Sequence, residues 1–552
     1  MSFQPRTLLK RVLSLHHPRL LIAGMTSLLV LFGLGIWAIT TDLTLVGILH
    51  TPQAEHLDQQ ELNDLVAAGE TEAAFDEAFE HGDELFETTF NALDGVGANV
   101  GNGQRFTRIP RADLANTGQW ATHFPARVTG PNAESCNGCH NTPSDDGAGP
   151  AAANVHRDPQ HTGVLRRFIE RNTPHTFATG APQRLAEEMT AVLQAIRQDA
   201  RNQVCAAGGS VTKNLIAKTV DFGTIKVTRV RSHPCRVSYD TSNVKGVSGD
   251  LVIRPYQWKG SVAFLRDFNR GAAHNELGMQ ASEIAGDNVD GDYDGVANEL
   301  TVGDVTALTV YLAAQPRPTT LIELQSLGLI PPLPQDQVDS IGRGSAKFAA
   351  IGCGSCHVGT LTIDNPVFSE PSQSQDYRDP GLGLMLPSVD LDQKVVVQRD
   401  PMTAAPVTTA TGLDPALPVT FDLTMDQPDN RILDAGGNII FRLGSLKTDG
   451  AGHALVELYG DLKRHYMGNG LAEGIDEVGT GAATFLTENL WGVASTAPYL
   501  HDGRATTLTE AILEHGGESA PSKNAFIALP VSDQMDVINF LSNLVLFKIP
   551  EE

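Results

Sequence analysis

The chain has 552 residues, 41% hydrophobic and 19% charged, with a formal net charge of −25. That length exceeds a single core, so two or three domains are expected, and the composition excludes a disordered chain. The negative charge argues against a nucleic-acid partner and suits a soluble face that steers a basic redox partner.

Leu20 to Thr40, "LLIAGMTSLLVLFGLGIWAIT", carries no charge and follows Arg6, Lys10, Arg11 and Arg19. A run of this length spans a bilayer as a helix, and the one-sided positive charge places everything after residue 41 outside the cytoplasm. A retained inner-membrane anchor with a periplasmic body is favoured. Cleavage near the weak small-x-small match Ala38-Ile39-Thr40 is the alternative.

"AESCNGCHNTP" then presents Cys136-x-x-Cys139-His140, and "AAIGCGSCHVGT" repeats the pattern as Cys353-x-x-Cys356-His357. A four-thiolate zinc site would use the cysteines but not explain a histidine after each pair. Two thioether bonds to haem vinyl groups, with the following imidazole on iron, explain all six residues. Two covalently bound c-type haems are expected, with His140 and His357 as proximal ligands. The remaining pair, Cys205 and Cys235, reads as a disulfide in an oxidising compartment, with two buried thiols as the alternative.

Between the motifs, Leu185 to Ala200 reads as an amphipathic helix. "TIKVTRVRSH" (Thr224 to His233) and "DLVIRPYQW" (Asp250 to Trp258) read as short strands. "DNVDGDYDGVANEL" sets Asp290, Asp292 and Asp294 at alternate positions with Gly295 to turn, an EF-hand-like calcium loop. Its twelfth position is Thr301 rather than Glu, so Glu299 is the substitute ligand, and a solvated acidic turn is the competing reading. "IPPLPQ", Ile330 to Gln335, marks a boundary, because consecutive prolines cannot continue a helix. Beyond it, Ala346, Phe348 and Ile351 lie on a helix leading into Cys353. Residues 364–436 form a Pro/Asp-rich insertion without helical period. Thr507 and Glu510 make a capping box, after which Leu508, Ile512 and His515 share one face until Gly516-Gly517 ends the helix. A last helix is expected to start at a Ser532 cap, with Met535, Ile538, Leu541 and Leu544 as its apolar stripe.

"LKRHYMGNGLAEG", "TAPYLHDGRATTLTEAI" and "EAILEHGGE" resemble the di-haem cytochrome c peroxidase superfamily, nearest its "thiol oxidoreductase" di-haem branch. The resemblance covers roughly residues 85–550 and implies the following. A sixth ligand of the second haem lies fourteen residues after the His of His-Asp-Gly, and counting from His501 reaches His515, with Met467 as competitor. Trp258 matches an indole between the haems. Where the peroxidases place Gln and Glu above the first iron, this chain has Phe268 and Gly278, which leaves ordinary peroxide heterolysis without its acid/base. His274 and Glu276 nearby are the candidates to compensate, against a surface or structural reading of each, which is favoured. An interdomain calcium would use Thr496, Pro498 and Asn243.

The expected architecture is mainly α: two class I cytochrome c-like haem domains with short β segments and loop insertions, preceded by one transmembrane helix. Residues 1–41 form the anchor, 42–330 the first haem domain and 331–552 the second. The expected function is a periplasmic di-haem oxidoreductase. Its first haem meets substrate or oxidant, and its second, bis-histidine haem exchanges electrons with a small cytochrome or cupredoxin. A di-haem oxygenase acting on an apolar compound and a non-catalytic electron carrier are the alternatives.

Overall fold

Two helix crossings organise the chain, and each depends on a glycine. The first helical hairpin comprises α1 (Gln59–Ala68) and α2 (Thr71–Glu87). A Cβ added to Gly82 of α2 would lie 2.3 Å from the carbonyl oxygen of Ala307, on the fully buried helix Val302–Ala314. The second crossing joins helices Gln335–Ala350 and Val531–Ser542, where a Cβ on Gly344 would meet the Asp536 carbonyl at 1.9 Å. Only glycine lets the backbones approach so closely. In both helices a phenylalanine follows the glycine by one turn. Phe86 packs on Tyr311 with ring centroids 5.7 Å apart, and Phe348 on Phe540 at 5.3 Å.

The computed structural model describes residues 51–111, 122–374, 412–428, 431–433 and 439–548, and residues 53–552 form one compact unit. After the first Cys-x-x-Cys-His come β1 (Val155–Arg157) and β2 (Ile169–Arg171), paired antiparallel. The long helix α3 (Gly180–Ala207) follows and contains the expected stretch; Leu185, Ala186, Met189 and Leu193 are buried. An antiparallel meander packs on it, β3 (Ser210–Ala217), β4 (Val220–Arg231) and β5 (Arg236–Asp240), with Leu215, Phe222, Ile225 and Val227 turned inward. The Cys205–Cys235 disulfide ties the end of α3 to the turn between β4 and β5. α4 (Leu265–Ala272) runs into a π-helical turn, Ala273–Leu277. The later helices are α5 (Val302–Ala314), α6 (Gln335–Ala350), α7 (Leu508–Glu514), α8 (Ala520–Ala528) and α9 (Val531–Ser542). Between α6 and α7 lie short hairpins, including β6 (Arg464–Tyr466) with β7 (Thr484–Leu486).

Several expectations are corrected. The chain is not mainly α: the described residues are 34% helical and 15% strand, the strands arranged in two- and three-stranded sheets. Among the described residues no helix is long and apolar enough to cross a membrane, so a transmembrane helix has no support, and the Leu20–Thr40 span itself lies outside those residues. Asp250 to Trp258 is not a strand. Asp250 accepts the Val252 amide and pairs with Arg254, and Leu251 takes a positive φ, so side-chain bonds replace a ladder. Pro530, not Ser532, precedes α9, whose inward face is Val537, Phe540 and Leu541 while Met535 is exposed. The insertion contributes a hairpin, Val367–Glu370 with Val419–Asp422; residues 375–411 lie outside the description.

Candidate functional site

The histidine of each Cys-x-x-Cys-His stands in the wall of its own cavity, joined in the second by both cysteines. The first cavity, about 200 Å³, is lined by His140, Tyr256, Trp258, Phe268 and Glu276. The second, about 220 Å³, is lined by Cys353, Cys356, His357, Met467 and His515. Trp258, His175 and Glu488 line both, so one partition separates the two chambers. None of Cys136, Cys139, Cys353 and Cys356 is in a disulfide. Burial pushes the Cys136 thiol up to about 12 and Cys353 to about 11.

The second cavity is built from the elements around α6 and α9. Phe348 lies 6.3 Å from His357 between ring centroids, and Phe86 stands 5.9 Å from His140 in the same relation. His357 Nδ1 donates to the Tyr459 carbonyl at 3.0 Å, and His515 Nδ1 donates to the Ala511 carbonyl at 2.7 Å. A carbonyl only accepts, so in each neutral ring the proton sits on Nδ1 and the lone pair on Nε2. Burial holds His357 down to about 4, with His515 adding to the shift, and lowers His515 as well. The two ring centroids are 6.5 Å apart. That is close to the separation of about 6 Å that two metal–imidazole bonds of about 2 Å require once the rings themselves are included. Met467 also lines this cavity, its sulfur 4.0 Å from the Ser519 hydroxyl. The capping box of Thr507 and Glu510 starts α7 and aims Leu508, Ile512 and His515 into the chamber.

His140 is tethered in the same way, Nδ1 donating to the Gly147 carbonyl at 3.3 Å, with burial holding it down to about 4. Among the described residues no imidazole ring pair is seen at His140 like that of His515 with His357. His175 is on the shared partition, its Nε2 donating to the Trp491 carbonyl at 3.2 Å. Phe268 is in the first cavity, packed on Tyr256 at 5.9 Å between centroids. Gly278 is not the acid/base position it replaces. Glu276 lines the cavity, its Oε2 accepts no hydrogen bond, and burial pushes it up to about 7 against the pull of Arg157 and Arg127. Its place in the cavity wall favours the compensating reading of Glu276, whereas His274 is buried and lines neither cavity.

The partition is stiffened by ion pairs that join distant parts of the chain. Arg171 binds Glu473 and Glu477, and Arg157 binds Glu477 at 2.7 Å. Against the upward push of burial, Arg157 and Arg171 hold Glu477 down to about 2. Trp258 Nε1 donates to the Asn172 carbonyl at 3.0 Å, and its ring meets His501 edge-on at 6.5 Å. His501 stacks on Phe485 at 4.4 Å, with Lys259 over the far ring at 4.2 Å.

The interdomain calcium set does not assemble as counted. Asn243 lies in the loop after β5, its carbonyl accepting the Thr224 amide. The side chain that reaches the Pro498 carbonyl is Asn172, whose Oδ1 has no partner; Thr496 bonds within its own turn. The acidic loop does assemble: carboxylate oxygens of Asp290, Asp292 and Asp294 all lie within 4.8 Å of one another.

Residues 449–544 match the family model described as "Di-haem oxidoreductase, putative peroxidase". The match takes in His465, Met467, His501 and His515 and begins after both Cys-x-x-Cys-His motifs. Over this C-terminal region the chain carries a di-haem oxidoreductase pattern, which supports haem cofactors and an oxidoreductase role. No curated protein matches the chain.

Proposed function

We propose that the chain is a di-haem c-type oxidoreductase in which the first cavity is the reaction site and the second passes electrons. One observation carries the reading: His140 lines one cavity, Cys353, Cys356 and His357 line another, and Trp258 lines both. Cys136 and Cys139 would hold the first haem by thioether bonds with His140 on iron, and Cys353, Cys356 and His357 the second. Haem iron supplies one-electron oxidation and reduction to such a site.

The chain's own groups divide the labour. His357 and His515 close the second site from both sides, which suits electron transfer without a substrate. The first site has Phe268 and Glu276 in its wall beside His140, and a small oxidant has room there. With its carboxyl held near neutrality, Glu276 can accept a proton at one oxygen of such a molecule and return it to the other, the role of a positioned acid/base. This favours a peroxidase-like reaction over the oxygenase alternative. Trp258 and the ion-paired partition fix the separation between the two sites. The Cys205–Cys235 disulfide fits an oxidising compartment outside the cytoplasm, with a small cytochrome or cupredoxin as electron partner.

Electron paramagnetic resonance of the oxidised protein tests the division. One high-spin and one low-spin ferric signal is the expected spectrum. Two low-spin signals would place a sixth ligand, His175 being the nearest imidazole, on the first iron and make the chain an electron carrier. Acid-acetone extraction that removes all Soret colour would refute covalent attachment.

A further inference from the structure

The acidic loop between α4 and α5 holds more carboxylates than the guanidiniums beside them balance. Asp292 is fully buried, and neither of its oxygens accepts a hydrogen bond; its nearest cation is Arg127, at 4.0 Å. Glu299 is 1% exposed, with Oε2 on the Gln280 amide and Oε1 unpartnered. Room for Glu299 is made by Gly95, where an added Cβ would strike its side chain at 2.2 Å. Asp294 is bound by Arg105 at 2.7 Å, and Asp290 accepts the amides of Asp294 and Gly295. Four carboxylates thus face two guanidiniums, leaving two negative charges in a buried loop. Unpaired buried carboxylates are costly, and a divalent ion resolves both the charge and the empty lone pairs.

We propose that Asp290, Asp292, Asp294 and Glu299 form a calcium site that braces the wall of the first cavity. The donor set is all oxygen, without imidazole or thiolate, which excludes a zinc-type site. A buried loop with several carboxylates and little room for water suits calcium, which takes six to eight oxygens, better than magnesium, which keeps its hydration. The brace runs through two side chains. Arg127 donates to the carbonyls of Asn275 and Gly278, on either side of Glu276. Gln280 donates to the Phe124 carbonyl and accepts the Gly291 amide of the loop. The site is separate from the haem ligands and does not depend on the haem reading.

The full-length haem-loaded protein, stripped with EGTA, is titrated with radioactive calcium by equilibrium dialysis beside its Asp292→Asn and Asp290→Asn variants. The wild type is expected to bind one calcium more than Asp292→Asn, and excess magnesium does not displace it. Asp290 is half-exposed, and Asn retains an acceptor for the loop amides, so Asp290→Asn folds but binds this calcium at least tenfold more weakly. Should Asp292→Asn fail to fold, the wild type against Asp290→Asn decides alone. Equal stoichiometry and affinity in wild type and variants would overturn the proposal. So would displacement by equimolar magnesium, or no calcium bound at millimolar concentration.

Discussion

The imidazoles of His357 and His515 face each other across the second cavity with ring centroids 6.5 Å apart, each tethered through Nδ1 to a backbone carbonyl. Because each tether fixes the tautomer, the two Nε2 lone pairs are available to one metal. His515→Ala should open the second site, giving a high-spin ferric signal or a shift to thioether ligation by Met467. The latter would raise the potential of that haem, since imidazole favours ferric iron more than thioether does. An unchanged low-spin spectrum and an unchanged potential would remove His515 from the ligand set.

The helix crossing at Gly344 predicts a stability effect distinct from ligation. A Cβ there would meet backbone, the Asp536 carbonyl at 1.9 Å, so α6 and α9 must separate rather than adjust a rotamer. Gly344→Ala should lower stability by about 1–3 kcal/mol, the usual cost of forcing an atom into a packed contact. Denaturant unfolding followed at the Soret band measures this; a midpoint equal to wild type would contradict the crossing geometry.

How far the sequence could be read depended on whether the chemistry is local. Cys136-x-x-Cys139-His140 and its repeat are contiguous, as thioether attachment requires, so the expectation of a bound haem could be drawn without a fold. The capping box at Thr507 and Glu510 is local too, and it formed as expected. The glycine-and-phenylalanine pairs, Gly82 with Phe86 and Gly344 with Phe348, were present as "GDELF" and "GSAKF" but carry meaning only beside the helix each crosses. Counting from Trp258 reaches Gly278, so the sequence offered Glu276 only as a neighbour that could compensate, against a structural reading. The π-helical turn Ala273–Leu277 adds a residue to the turn and rotates Glu276 into the cavity instead. Asn243 was likewise reached by an offset across a loop, whereas the contact with the Pro498 carbonyl seen here is made by Asn172. The helical excess expected of the whole chain overlooked how many short hairpins its 53 Gly and 31 Pro can support.

Trp258 belongs to the partition, bonded to Asn172 and edge-on to His501. Trp258→Phe retains a ring in the wall but removes the indole that lies between the cavities. Each haem's own absorption spectrum should persist while transfer between the two slows by at least tenfold, read by stopped-flow reduction of one haem and oxidation of the other. Transfer at the wild-type rate would show that electrons take another route.

Glu276 makes the pH dependence of the first site predictable. Burial raises its carboxyl to about 7 despite Arg157 and Arg127, so below that pH the group holds its proton and above it the carboxylate is available as a base. If proton acceptance by Glu276 limits turnover of hydrogen peroxide, the rate rises with pH through about 7, the direction set by ionisation of an acid. Glu276→Gln keeps the shape but cannot take the proton. It should lose about 10²–10⁴ in kcat, the usual contribution of a positioned acid/base, and lose the ascending limb with it. The haem spectra should stay as in wild type, since Glu276 ligates nothing. A Gln variant that keeps both its rate and its pH limb would assign the proton transfer to another group and return the first cavity to the apolar character that Phe268 gives it.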